Sequence, residues 1–120
     1  MDTRLDATSM GVRLFSAAKG DEEGGMPKYL MLSTLSEQGL QTLRANPERV
    51  REVNKDMEEL GVKVLQQWFV LGPHDFVNII EAPDASAIAK VSVALGARGS
   101  VHTESYEMLE VDDLLSLLAE

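Results

Sequence analysis

Val62-Lys63-Val64-Leu65-Gln66-Gln67-Trp68-Phe69-Val70-Leu71-Gly72-Pro73-His74-Asp75-Phe76-Val77-Asn78-Ile79-Ile80-Glu81-Ala82 decides the fold. Residues 62–71 and 76–82 are runs rich in β-branched and aromatic side chains. Gly72-Pro73-His74-Asp75 between them holds the turn chemistry of a hairpin. Two consecutive antiparallel strands are therefore expected mid-chain, and the flanking sequence must complete their sheet.

Upstream, Pro27-Lys28-Tyr29-Leu30-Met31-Leu32-Ser33-Thr34-Leu35 reads as a first strand that stops at Ser36. A helix with Leu40 and Leu43 follows, and Asn46-Pro47 marks a restart, with asparagine as cap and proline at the first helical position. From Glu48 to Leu60, Val50, Val53, Met57 and Leu60 recur at helical spacing, and Gly61 is a left-handed cap. The charged residues on the remaining surface of that helix read as a solvated face. Downstream, Pro83-Asp84 opens a helix buried through Ala85, Ile88, Val91 or Ser92, and Leu95, ended by Gly96 to Gly99. Ser100 to Met108 alternates as a fourth strand. Val111, Leu114, Leu115 and Leu118 then form the apolar stripe of a short acidic helix.

The order is strand-helix-strand-strand-helix-strand, the split βαβ arrangement of a ferredoxin-like α+β fold. Two crossing helices are expected on one face of a four-stranded antiparallel sheet. Parity adds a second expectation. In strand two Val64, Gln66, Trp68 and Val70 alternate with Leu65, Gln67, Phe69 and Leu71, while in strand one Tyr29 and Met31 oppose Leu30 and Leu32. Both faces are largely apolar, and helices cover only one, so a second subunit is expected to cover the other.

The chain has 120 residues, no cysteine and a net charge of 11 − 20 = −9, which suits one soluble domain. Without cysteine there is no disulfide, thiolate zinc site, iron–sulfur cluster or cysteine nucleophile. No apolar run reaches a membrane span, and MDTRLDATSMGVRLF is too charged for a signal peptide, so a cytoplasmic location is expected. The negative balance argues against nucleic acid and anionic membranes as partners. Residues 1–25 carry 3 basic and 5 acidic groups, residues 26–108 carry 8 and 11, and residues 109–120 carry 0 and 4. The acidity thus concentrates in two tails. We divide the chain into an N-terminal arm and Gly/acidic linker (1–25), a domain (26–108) and an acidic amphipathic helix (109–120). Val12, Leu14 and Phe15 make the arm's one apolar cluster. It reads either as a mobile leader or as a clip that docks on a neighbouring subunit.

Met26-Pro27-Lys28-Tyr29-Leu30-Met31-Leu32, the helix Glu52 to Leu60 running into Gly61-Val62-Lys63-Val64, Leu71-Gly72-Pro73-His74-Asp75-Phe76-Val77, Glu81-Ala82-Pro83-Asp84 and Ala97-Arg98-Gly99 together resemble the GYD domain family. The resemblance spans roughly residues 26–108. It implies a ferredoxin-like domain related to dimeric α/β-barrel proteins, in which two sheets pack face to face, and it implies little about chemistry. The family's name-giving motif has a tyrosine before its aspartate, where this chain has His74.

Three groups of residues are candidates for function. His74 and Asp75 in the turn Gly72-Pro73-His74-Asp75 suit general acid–base work, although turn geometry alone explains all four residue types. His102, Glu104 and Tyr106 share one parity on strand four, and with Tyr29 and Trp68 they make either a small-molecule pocket or an interface centre. A metal site from His74, Asp75, His102 and Glu104 lacks tight ligand spacing, so no metal and no cofactor is expected. Phosphate-binding glycine loops, GxSxG and HExxH are absent, and Phe76-Val77-Asn78-Ile79-Ile80 lacks the basic and paired aromatic residues that stack on RNA bases.

The expectation is a non-catalytic oligomerising module whose sheet face forms a homodimer and whose arm or C-terminal helix docks on neighbouring subunits or holds a partner. The alternative is a cofactor-free enzyme or ligand-binding protein of the dimeric α/β-barrel type, using His74 or His102. A third possibility, a subunit of a filament or shell, differs from the first only in whether contacts close.

Overall fold

A computed structural model describes residues 25–119 of the chain. The expectations for the arm, including the Val12, Leu14 and Phe15 clip, lie outside the described residues. The elements run β1 (Lys28–Leu35), α1 (Glu37–Ala45), α2 (Arg49–Glu59), β2 (Lys63–Phe69), β3 (Phe76–Glu81), α3 (Ala85–Ala97), β4 (Val101–Met108) and α4 (Val111–Ala119). Four strands form one antiparallel sheet in the order β2-β3-β1-β4, which confirms the expected α+β fold. The expected first helix is two pieces, so among the described residues four helices accompany the sheet. Among the described residues no helix is long and apolar enough to cross a membrane.

Local chemistry sets most element ends. Ser36 begins α1 by accepting a hydrogen bond from the Gly39 amide at 3.1 Å, and Asp84 begins α3 by accepting from Ala87 at 3.2 Å. Gly61 after α2 and Gly99 after α3 take φ of +94° and +80°, where a side chain would be strained. Asn46 is the C-cap of α1, its amide donating to the Thr42 carbonyl, and α2 starts from Glu48 without a side-chain cap. This corrects the expected Asn46 N-cap: a tight turn over Pro47 and Glu48, closed by Arg49 N–H to the Asn46 carbonyl at 3.0 Å, takes up the first donors of α2.

The core lies between the sheet and the helices. Tyr29 and Met31 of β1, Ile80 of β3, Met57 of α2, and Ile88, Val91 and Leu95 of α3 are buried there with Val62. Each such large side chain stabilises the fold by roughly 1.5–3 kcal/mol. Leu60, placed by its spacing in the α2 stripe, falls past the helix end and is exposed. Along β1 the expected alternation holds, with Tyr29, Met31 and Ser33 facing the helices and Leu30 and Leu32 left half-buried on the other side. Along β2 it breaks. Val64 pairs with Ile80 and Gln66 with Ile79, so Leu65 is an extra, bulged residue. Val64 therefore shares the helix side with Gln67 and Phe69, not the opposite side with Gln66 and Trp68.

α1 approaches the β4 end closely. The Ser36 amide donates to the Ser100 carbonyl at 3.0 Å, and the Ser36 hydroxyl donates to the Gly39-adjacent loop at the Gly99 carbonyl, 2.8 Å away. A Cβ on Gly39 would run into the Ser100 carbonyl oxygen.

Candidate functional site

The helix-free face of the sheet is the larger candidate. Strand register places Leu30 beside Ile79 and Tyr106, and Leu32 beside Val77 and Glu104. Trp68 pairs with Val77 on the outer strand. The result is a continuous apolar face with Leu30, Leu32, Val77 and Ile79 at its centre and Trp68 and Tyr106, each 52% exposed, on its flanks. The Tyr106 hydroxyl donates to Glu104 at 3.0 Å. That bond, then the Glu104 charge, then burial push the phenol above its ordinary 10.0.

The turn beyond β2 is fastened to β1. Asp75 accepts from the Leu35 amide at 2.7 Å, and its own amide donates to the Ser33 carbonyl at 2.8 Å. The His74 Nδ1 and the Thr34 hydroxyl share a hydrogen bond of 3.0 Å. Asp75 therefore caps a neighbouring strand. Gly72 and Pro73 stand exposed at the tip, beside Leu71 at 93% exposure. Because Thr34 pairs with His102, the two histidines flank one threonine at the edge of the open face. Among the described residues no three His, Asp or Glu side chains are grouped to hold a metal.

Tyr29 does not join this group. It faces the helices, buried, on the opposite side of the sheet from Trp68, His102, Glu104 and Tyr106, because β1 turns its odd residues toward the core. Burial, then the charges of Glu107 and Asp84, raise its hydroxyl above 10.0.

The structure also holds a cavity that none of the candidate site residues lines. It lies between α1, α2, the end of α3 and the helix side of the sheet, with a volume of about 340 Å³. Its floor carries a chain of amides. Asn54 and Gln67 exchange hydrogen bonds of 2.9 and 3.2 Å, Gln67 donates to Asn78 at 2.8 Å, and Asn78 donates to the Met31 carbonyl and the Ser33 hydroxyl at 2.9 and 3.0 Å. Arg49 and Arg98 stand at the rim, each within hydrogen-bond distance of a carboxylate, Glu52 at 3.0 Å and Asp56 at 3.1 Å. One sequence signal pointed here: Asn78 interrupts the apolar run of β3, and a buried polar residue in such a run needs partners. That its partners come from β2 and β1 is a matter of topology.

Comparison with known proteins agrees with this architecture. The chain is similar, at 18% identity and a TM-score of 0.54, to the crystal structure of MtbAldR, over 72% of this chain and 54% of that one, a likeness of fold. The chain thus spans about half the length of that solved chain. A Thermus thermophilus protein named "Glutamine synthetase and cystathionine beta-lyase binding protein" is 48% identical over 94 residues, covering 78% of this chain and 99% of the relative. The GYD domain pattern matches residues 29–118, from β1 through α4, and so includes the helix that the sequence divides from the domain at residue 108. With a family match that runs through every element of the fold, the chain belongs to the GYD domain family.

Proposed function

We propose that this chain is a cytoplasmic, oligomerising protein-binding module, in which the open sheet face forms a homodimer and α4, with the N-terminal arm, links subunits or holds a partner protein. The continuous apolar face built on Leu30, Leu32, Val77 and Ile79 carries this proposal, because surface of that kind, flanked by Trp68 and Tyr106, has the composition of an interface centre. α4 offers a second apolar surface, since Leu114, Leu115, Leu117 and Leu118 are all exposed. The Thermus relative's name records binding to two enzymes. The partner proposed here is likewise a protein.

The candidate acid–base residues fit this role. Asp75 and His74 engage β1 through hydrogen bonds, and neither they nor His102 line the cavity. Light scattering on a size-exclusion column tests the dimer. The full chain at micromolar concentration should run above the 13.1 kDa of one copy, and Leu32→Lys should return it to that mass with unchanged far-ultraviolet circular dichroism. A wild-type chain that stays monomeric refutes the dimer. For α4, Leu115→Glu with Leu118→Glu should lower the order of assembly or remove a captured partner while the fold persists. No change in either would separate α4 from this role.

A further inference from the structure

The cavity on the helix side of the sheet goes beyond that reading, since it lies across the sheet from the proposed interface. We propose that it binds a small, uncharged, mainly apolar molecule that carries one hydrogen-bond-accepting oxygen. Size comes first: about 340 Å³ is at the lower end of small-molecule sites and suits a ligand of about a dozen non-hydrogen atoms. Its walls are apolar, with Met31, Val53, Phe76 and Leu95 among them.

The charge of the ligand follows from the lining. Among the described residues no Asp, Glu, His, Lys or Tyr contributes to it. The two arginines at the rim already face Glu52 and Asp56, so a charged guest would lose its hydration without gaining a free counter-charge. The position of the oxygen follows from hydrogen-bond capacity. Ser33 is 8% exposed and accepts from Asn78, which leaves its own hydroxyl hydrogen to be donated. Asn54 uses one of its two amide hydrogens on Gln67. A carbonyl or hydroxyl oxygen on the floor of the cavity would receive these donors, and the apolar part would rest on the walls. The described lining has no acid or base to activate the hydroxyls of Ser33, Thr42 and Ser100, so the site binds and does not convert its ligand.

Toluene, benzamide and benzoate share one ring and differ in the group it carries. Titrated into the full-length chain and followed through backbone amide resonances, benzamide should give saturable shifts at Ser33, Val53, Asn54 and Asn78. Toluene should bind at the same residues roughly five- to tenfold more weakly, the value of one neutral hydrogen bond, and benzoate more weakly than benzamide. Ser33→Ala should erase the advantage of benzamide over toluene. Val53→Trp, which fills the cavity, should abolish all binding, and Val50→Met, a smaller filling, should weaken it if the larger variant does not fold. The proposal fails if no probe gives saturable shifts at those residues, if benzoate binds best, or if the filled variants bind as well as the natural chain. It fails for the oxygen alone if toluene equals benzamide.

Discussion

Gly39 sits where α1 passes the Ser100 carbonyl, and its missing side chain is what allows the Ser36 amide and hydroxyl to reach Ser100 and Gly99. Gly39→Ala should therefore destabilise the domain despite its better helix propensity, by about 1–3 kcal/mol, the range for overpacking, in urea denaturation. Asn78 makes the opposite case. It is 1% exposed and ties Gln67, Ser33 and the Met31 carbonyl together, so Asn78→Ala should cost about 2 kcal/mol or more by leaving those groups unpaired. Both tyrosines are held protonated by the fold, Tyr29 chiefly by burial and Tyr106 chiefly by Glu104. Spectrophotometric titration should place both midpoints above 10.0. Since the folded values are raised, their stabilising effect is complete below the unfolded value and fades as pH climbs through the folded one. Stability should fall on the alkaline side, less steeply in Tyr29→Phe. Of these residues, sequence marked the tyrosines but placed Tyr29 and Tyr106 together, because each lies in a strand-like run; the register that sets their faces is a property of paired strands.

Elements were more legible than their joints. Strand runs and helix stripes carry their period in every residue, and caps such as Asp84 are visible in one dimension. Asp84→Ala should lower stability by about 1 kcal/mol in the same denaturation experiment, by freeing the Ala87 amide. The bulge at Leu65 was not legible, since nothing in Val64-Leu65-Gln66 signals an extra residue until β3 fixes the pairing. Its effect is to bring Gln67 to the helix side, where Asn54 and Asn78 meet it. The break between α1 and α2 was marked by Asn46-Pro47, but which residue capped which helix depended on a turn too short to read from residue preference. The cavity was invisible for the same reason: its polar floor joins α2, β2 and β3 to β1, and only the pairing of the strands brings those four elements together.

For the whole molecule, charge and apolar surface oppose each other. The chain carries −9, of which residues 26–108 contribute 8 − 11 = −3, so copies that associate through the sheet do so against the repulsion of their net negative charges. Raising ionic strength from about 0.01 to 0.15 M shortens the screening length from about 30 to 8 Å. The apparent mass at low protein concentration should then rise; a fall would point to contacts made by ion pairs in place of the apolar face. The alternation of β1 and β3 has a further outcome. Leu30, Leu32, Val77 and Ile79 can vary without disturbing Tyr29, Met31, Asn78 and Ile80, whose side chains stand on the far side of the same backbone. On the proposed interface, substitutions at these four positions should therefore change the company the chain keeps while the interior stays as it is.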